Sequence, residues 1–196
     1  MSKRVEIISK EVTYEKFFFT IEEAHFKHEL YNGDMSRELV RLNLERGDSA
    51  AVLLHDPDAD TIILTEQFRY PTYEKGPGWL LEIPAGTIEK HESSDPTITL
   101  RREIMEEIGY KTGRLRFICT FYVSPGGTSE RIHLYYAKVS PTDQKEKGGG
   151  VLAEGEDIRV LLVKVGDALR MLANGEIPDA KSIIGLQWLA LNRGQV

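Results

Sequence analysis

The sequence predicts an α/β protein in which a small strand-rich segment, residues 1–45, precedes a larger α/β domain, residues 46–196. Three observations predict this. The N-terminal segment has strand-like patterning and no helical stripe. The middle of the chain alternates short apolar runs with Gly-, Pro- and Asp-rich bends. One segment near residue 100 and two near the C-terminus carry apolar residues at helical spacing.

The elements follow in order. In "FTIEEAHFKHELYNGDMSRELVRLNL" two strand-like runs flank Asn32-Gly33, the strongest short hairpin signal. So short a strand-rich segment buries little by itself, and is expected to pack on the larger domain or on a second subunit. Apolar runs Ala51–Leu54 and Ile62–Leu64, split by the turn-rich "HDPDAD", predict a strand pair. "GWLLEIPAG" predicts a strand ending in a Pro-Ala-Gly bend. In "DPTITLRREIMEEIG", Asp95 suits an N-cap, Pro96 the first helical position and Gly109 the residue after the last turn. Thr97, Leu100, Ile104 and Ile108 make a buried stripe at helical spacing. "RLRFICTFYV" and "ERIHLYYAKV" predict strands around the bend "SPGGTSE". The polar, Gly-rich "SPTDQKEKGGGVLAEGED" is long for a connection, a property of functional loops. "IRVLLVKV" is a further strand, and "VGDALRMLANGE" and "PDAKSIIGLQWLALN" are the last two helices.

Bulk properties exclude several classes. With 41% hydrophobic and 29% charged residues the chain is not a disordered one. Its formal net charge of −6 provides no basic field, so nucleic acid is not an expected partner. No stretch reaches the roughly 20 apolar residues of a membrane span, and "MSKRVEIISKEV" lacks the apolar run of a signal peptide; the expected compartment is the cytoplasm. The single cysteine, Cys119, lies in the apolar "FICTFYV" and reads as a reduced core thiol. The five histidines show no ligand spacing beyond the strand-like His25/His28 pair, and none is assigned a role.

The feature that needs explaining is "RREIMEEIGY", residues 101–110. Glu103, Glu106 and Glu107 stand at i, i+3 and i+4, so at about 100° per residue they share one helical face. Like charges at this spacing repel by roughly 0.2–0.5 kcal/mol per pair. The helix C-terminus adds about 0.3–1 kcal/mol per nearby anion at exposed sites. Arg102 can offset part of this through Glu106 at i+4. Two readings fit the spacing: a solvated helix face, or a divalent-cation site built from hard oxygen ligands.

The surroundings favour the second. Gly86, Glu92 and "REIMEEIGY" resemble the Nudix box, G-x5-E-x7-R-E-U-x-E-E-x-G-U with U bulky and apolar, Tyr110 filling the last position. One departure is clear: nine residues, not seven, separate Glu92 from Arg102, and the extra two fall in "SSDP" before the helix. The helix register is unaffected. Beyond the box, "LERGDSAAVLL", "TEQFRY", "WLLEIPAGTIE", "SPGGTSER" and "GEDIRV" with "IIGLQWL" are similar to the ADP-ribose pyrophosphatase branch of that family over nearly the whole chain. Pro125 takes the place of the proline which that branch keeps beyond its box.

The resemblance implies a Nudix α/β/α sandwich with a mixed sheet, preceded by a small antiparallel β domain that the branch exchanges across a homodimer. It implies Mg²⁺ as cofactor, Mn²⁺ being the second candidate, and ADP-ribose as substrate. Glu103 and Glu107 then correspond to direct metal ligands, Glu106 to a ligand or close support, and the Ala85 carbonyl to a further ligand. Arg102, the arginine of the box, is a catalytic position. Glu154, in "LAEGEDI", falls where the branch keeps its general base and Glu156 where it keeps a loop metal ligand; Glu156 and Asp157 also compete for the role of base. Arg41 and Arg69 match arginines that hold the substrate's phosphates or ribose, though Arg41 can equally be a surface ion-pair partner. Phe18, in "KFFFT", falls where a ring stacks on adenine; three phenylalanines in a row leave a one-residue shift open, and such runs commonly pack in a core.

These residue types suit the chemistry. Cations neutralise a pyrophosphate and acidify water, a carboxylate takes the water's proton, and arginine forks fix phosphate oxygens. Two rivals remain at this stage. One is the same chemistry on another nucleotide sugar, GDP-mannose or ADP-glucose. The other is a non-catalytic domain that senses ADP-ribose, against which stand all three retained glutamates and the lack of a DNA-binding appendage.

Overall fold

The computed structural model describes residues 3–88 and 95–196, the side chain of Glu154 excepted. Glu92 and the start of the insertion that follows it lie outside the described residues. The chain divides into two units, Met1–Gly47 with Tyr122–Arg131, and Asp48–Phe121 with Ile132–Val196.

The first unit is an antiparallel sheet of β1 (Val5–Lys16), β2 (Phe19–His28) and β3 (Leu39–Glu45), in that spatial order. The strand pair expected around Asn32-Gly33 is β2 and β3, with an antiparallel bridge between Glu29 and Met35 beside the turn; a second, two-residue turn joins β1 to β2. Lys16 pairs with Phe19, so Phe17 and Phe18 alone make the β1–β2 turn, and Phe17 has φ 56°, in the left-handed region that non-glycine residues avoid. Phe26 pairs with Leu39 and Glu29 bridges to Met35, and Asn32-Gly33 lies in the turn beyond them, closed by the Leu30 N–H donating to the Asp34 carbonyl at 2.8 Å. There the Asn32 side chain accepts from the Asp34 N–H at 3.1 Å, an Asx turn that satisfies the backbone without a two-residue hairpin. The segment 122–131 joins this unit through Leu44 N–H to the Gly127 carbonyl (2.9 Å) and the Thr128 hydroxyl to the Leu44 carbonyl (2.8 Å). Every residue of β1 is exposed, including Val5, Ile7, Ile8, Val12 and Tyr14.

The second unit is an α/β/α sandwich. Its sheet runs β10-β5-β4-β9-β8, with β6 added to β5 and β7 to β4. The strands are β4 (Ser49–Asp56), β5 (Thr61–Phe68), β6 (Trp79–Glu82), β7 (Ala85–Thr87), β8 (Arg116–Tyr122), β9 (Arg131–Lys138) and β10 (Arg159–Lys164). β4 and β9 are parallel, whereas β5 is antiparallel to β4, β6 and β10, so the sheet is mixed as expected. β4 is the axis. Its first residues pair with β7 and its last with β5, and all eight are buried. Alternate side chains serve opposite cores. Ala51 and Leu53 face α3 (Val165–Ala173) and α4 (Ala180–Asn192) with Ile62, Leu64, Leu134 and Leu186. Ala50, Val52 and Leu54 face α2 (Pro96–Ile108) with Ile63, Leu100, Ile104 and Ile108. Each fully buried Val, Leu or Ile among these contributes about 1.5–3 kcal/mol. Among the strands and α-helices, two were not apparent in the sequence. The Pro-Ala-Gly bend opens into the short strand β7, held by its pairing to β4, and Tyr70–Tyr73 forms the single helical turn α1. Among the described residues no helix is long and apolar enough to cross a membrane.

Candidate functional site

The helix α2 begins and ends as its sequence dictates. The Asp95 carboxylate accepts from the Thr97 N–H at 2.9 Å, Pro96 occupies the first turn and Gly109 closes the helix at φ 73°. The residues that follow explain how a carboxylate-rich face is tolerated at its C-terminus. The Gly-rich loop folds back and donates to the terminal carbonyls: Gly150 N–H to Glu106 (3.1 Å), Gly149 N–H to Glu107 (2.8 Å), and Lys145 and Glu146 N–H to Gly109 (2.7 and 3.1 Å). The carbonyls that a helix leaves unsatisfied are thereby paired. Two glycines make this approach possible. A side chain on Gly109 would overlap the Glu146 carbonyl, and one on Gly148 (φ 68°) would overlap the backbone of Glu107 and Ile108.

The three glutamates differ sharply in environment. Glu107 is 2% exposed. Burial, then the nearby Glu103, push its carboxyl up to about 8; Glu156 acts in the same direction, while Arg69 and a hydrogen bond from the Ala85 backbone oppose it. Its Oε2 is buried without a hydrogen-bond partner among the described residues. Glu103 and Glu106 are held by Arg102, each at 2.9 Å. Glu103 also lies directly against Gly86, where any Cβ would overlap its carboxyl group. Glu156 turns its carboxylate onto the Val151 N–H at 2.9 Å, and its charge still acts on Glu107. The loop thus brings Glu156 to the end of α2, and β7 brings Ala85 and Gly86 to its face. Gly86→Ala should leave the fold intact, because only a flexible side chain must move. It should displace Glu103 and reduce turnover by about 10–100-fold, the scale of disturbing a ligand's support; a thermal melt alongside a rate measurement checks both halves.

Arg69 occupies the same region, but it does not stand free. It makes a bidentate contact with Glu82, at 2.7 and 3.2 Å. Glu82 is also 3.3 Å from Lys181, which lies 3.1 Å from Asp179. Burial would raise the Glu82 carboxyl, but Lys181 and Arg69 hold it below the usual carboxylate range. Burial likewise opposes the charge of Arg69, which Glu82 and then Glu107 sustain. Asp179 caps α4 by accepting from the Ser182 N–H at 3.0 Å, and the Ser182 hydroxyl accepts from the Ile83 N–H at 2.8 Å. Glu82, Asp179, Lys181 and Ser182 were not singled out by sequence pattern. The available signals were a glutamate inside the apolar "WLLEIP" and a lysine inside the helix start "DAKS", both charged residues at positions that a strand and a helix bury.

Two candidates belong to the first unit. Phe18 is 58% exposed at the β1–β2 turn, so in this unit it is not a core residue. Its ring packs on Phe19 with centroids 4.3 Å apart, and the Arg46 guanidinium lies 5.6 Å from the Phe18 centroid. Arg41 is exposed on β3 opposite Ala24, its guanidinium donating to the Val40 carbonyl at 2.8 Å. The structure therefore brings together Arg69, Ala85, Arg102, Glu103, Glu106, Glu107 and Glu156 in the second unit, and places Phe18 and Arg41 in the first.

A hard divalent cation fits the donors at α2. They are carboxylate oxygens on a rigid helix, and one, Glu107 Oε2, is buried and unpaired. As they lie, no group of three or more His, Cys, Asp or Glu side chains among the described residues is arranged to hold a metal ion. Arg102 draws Glu103 and Glu106 to itself, and Glu156 is turned to its own loop.

A family model described as NUDIX domain matches residues 45–185. The chain is 41% identical over 189 residues to the ADP-ribose pyrophosphatase of Escherichia coli (strain K12), covering 96% of this chain and 88% of that one. It is 38% identical over 197 residues to the ADP-ribose pyrophosphatase of Haemophilus influenzae, covering 98% and 88%. It is 36% identical over 189 residues to the GDP-mannose pyrophosphatase of Pectobacterium atrosepticum, covering 95% and 94%. A crystal structure of an ADP compounds hydrolase superposes with a TM-score of 0.72 at 20% identity, covering 98% of this chain and 97% of that one, a likeness of fold.

Proposed function

Because the chain belongs to the Nudix family, we propose that it is a nucleoside-diphosphate-sugar hydrolase that cleaves the pyrophosphate of ADP-ribose with water, giving AMP and ribose 5-phosphate. The observation that carries this reading is Glu107, a carboxyl buried to 2% exposure against Glu103 and Glu156 with one oxygen unpaired. Such a group is costly unless a cation compensates it.

Glu103, Glu106, Glu107, Glu156 and the Ala85 carbonyl would hold the cation, Mg²⁺ in this reading and Mn²⁺ as second candidate. When bound, the cation neutralises phosphate charge and acidifies water. Glu154 takes the proton of the attacking water, with Glu156 and Asp157 as its neighbours in sequence; the water oxygen bonds to phosphorus as the bridging oxygen departs with the other phosphate. Arg69, anchored on Glu82, offers its remaining guanidinium donors to a phosphate, and Arg41 is a second phosphate or ribose contact. Arg102 orients Glu103 and Glu106 through its two ion pairs. Phe18, exposed at a turn, stacks on the adenine. The apolar side chains exposed along β1 support a homodimer that covers them.

The similarity to GDP-mannose pyrophosphatase, at 36% identity, supports a second reading with the same chemistry on GDP-mannose. A panel of ADP-ribose, ADP-glucose and GDP-mannose, each with Mg²⁺ and Mn²⁺, separates them. We expect ADP-ribose to lead in kcat/KM by about tenfold or more, a difference of about 1.4 kcal/mol in transition-state binding. A lead for GDP-mannose would replace the substrate, and no hydrolysis of any would overturn the enzymatic reading.

A further inference from the structure

The crossover between β6 and β7 is two residues long, Ile83 and Pro84. There the chain leaves β5, where Glu82 pairs with Thr65, and joins β4, where Ala85 pairs with Ala51. A backbone that changes partners in this way takes its polar groups out of both ladders, and buried ones must be satisfied elsewhere. Pro84 has no N–H, and its carbonyl accepts from the Val52 N–H at 3.0 Å. The Ile83 N–H is therefore the crossover's one backbone donor. It donates to the Ser182 hydroxyl at 2.8 Å, and both residues are buried. That hydroxyl is itself fixed, because it donates to the Asp179 carboxylate at 2.5 Å. The helix α4 does not need this arrangement for its cap. Asp179 already accepts from the Ser182 N–H at 3.0 Å, which caps the helix without any hydroxyl.

What the hydroxyl adds lies just beyond the crossover. The Ala85 backbone hydrogen-bonds to Glu107, and Gly86 lies against the carboxyl group of Glu103. Both contacts are made by backbone, so a shift of the crossover reaches the two carboxylates together. β7 has three residues of pairing with β4 to resist such a shift. We propose that Ser182 is a positioning residue for the cation site. From the face of the sheet opposite α2, its hydroxyl holds the crossover so that Ala85 and Gly86 fix Glu107 and Glu103 in place for a metal. This inference rests on the reading of α2 as a cation site. The simpler account is a hydrogen bond that stabilises a buried junction and does nothing else. That account predicts lower stability with unchanged metal affinity, whereas positioning predicts weaker metal binding beyond any loss of stability.

The readout is Mn²⁺ binding by the substrate-free protein, followed by the paramagnetic resonance signal of free Mn²⁺. Ser182→Ala should weaken binding about tenfold, the lower end of the effect of removing a support behind a metal ligand. Leu189→Val thins the core further along the same helix, so it lowers stability through packing alone and should bind Mn²⁺ as the parent does. Equal binding by the parent and Ser182→Ala, or an equal loss in Leu189→Val, would overturn the positioning role and leave the cation site standing. Absence of Mn²⁺ binding by the parent would overturn the cation site, and the positioning role with it. A second measurement needs no variant. Coupling between two sites is reciprocal, so Mg²⁺ should slow solvent exchange of the Ile83 amide hydrogen more than that of Leu172 in α3. Equal slowing at the two amides would mean that the metal stabilises the fold as a whole, and would overturn the link between Ser182 and the metal.

Discussion

Glu107→Gln is expected to reduce turnover by about 10²–10³-fold or more, the scale of removing one preorganised electrostatic group from a transition state, while making the metal-free protein more stable. The two effects have one cause. The Glu107 carboxyl is raised from 4.5 to about 8 by burial and by its acidic neighbours. A carboxyl raised on folding contributes its stabilisation fully below about pH 4.5 and loses it as pH rises through about 8. In the absence of metal, the parent protein should therefore melt at progressively lower temperature between those pH values. Glutamine keeps the size and can still accept from Ala85, but it never ionises, so the slope should flatten. Near pH 8 the variant should exceed the parent by on the order of 1–3 kcal/mol. Added Mg²⁺ should reverse the ranking, raising the melting temperature of the parent at pH 8 and leaving the variant nearly unmoved. Turnover in purified Glu107→Gln would remove Glu107 from the metal site. A pH-independent melt in the parent would remove the burial argument on which that assignment rests.

This pairing of lost activity with gained stability also shows what the sequence could and could not reveal. The one-face spacing of Glu103, Glu106 and Glu107 was legible, because helical periodicity follows directly from residue number. So were the strand pairs around "HDPDAD", the caps Asp95 and Gly109, the two final helices and the mixed α/β class, each set by local pattern. Burial of Glu107 was not legible. It depends on β7 pairing with β4 and on the Gly-rich loop returning to the helix end, both non-local contacts. The two-residue β1–β2 turn was not legible either. Asn32-Gly33 has the composition of a hairpin and sits between the paired strands β2 and β3, whereas nothing in "KFFFT" marks a turn, and there Phe17 takes the left-handed conformation. The arrangement of Arg69 was hidden because it too depends on non-local contacts. The family resemblance marks Arg69 in "TEQFRY" as a candidate phosphate contact, but the charges that hold it come from β6 and from the start of α4.

Those charges supply the second large effect. Glu82→Ala should destabilise the protein by about 3 kcal/mol, at the lower end of the cost of breaking a buried ion pair. The side chain of Glu82 is 5% exposed and that of Lys181 is 9% exposed, so removing the carboxylate leaves an ammonium buried with Asp179 as its remaining ion-pair partner among the described residues. Arg69 adds less to the penalty because its side chain is 39% exposed and water can screen it. The denaturant midpoint should fall without a change in slope. Glu82→Gln should lose less, because an amide oxygen can still accept from one cation. If the penalty comes from the stranded lysine, Lys181→Met should recover part of it in the Glu82→Ala background, a coupling that a double-mutant cycle reads directly. The two variants should also separate stability from function. Lys181→Met leaves the Arg69–Glu82 contact in place and should spare KM, whereas Glu82→Ala releases Arg69 and should raise KM for the nucleotide sugar. Equal KM values in the two would mean that Arg69 does not meet the substrate from the position in which Glu82 holds it.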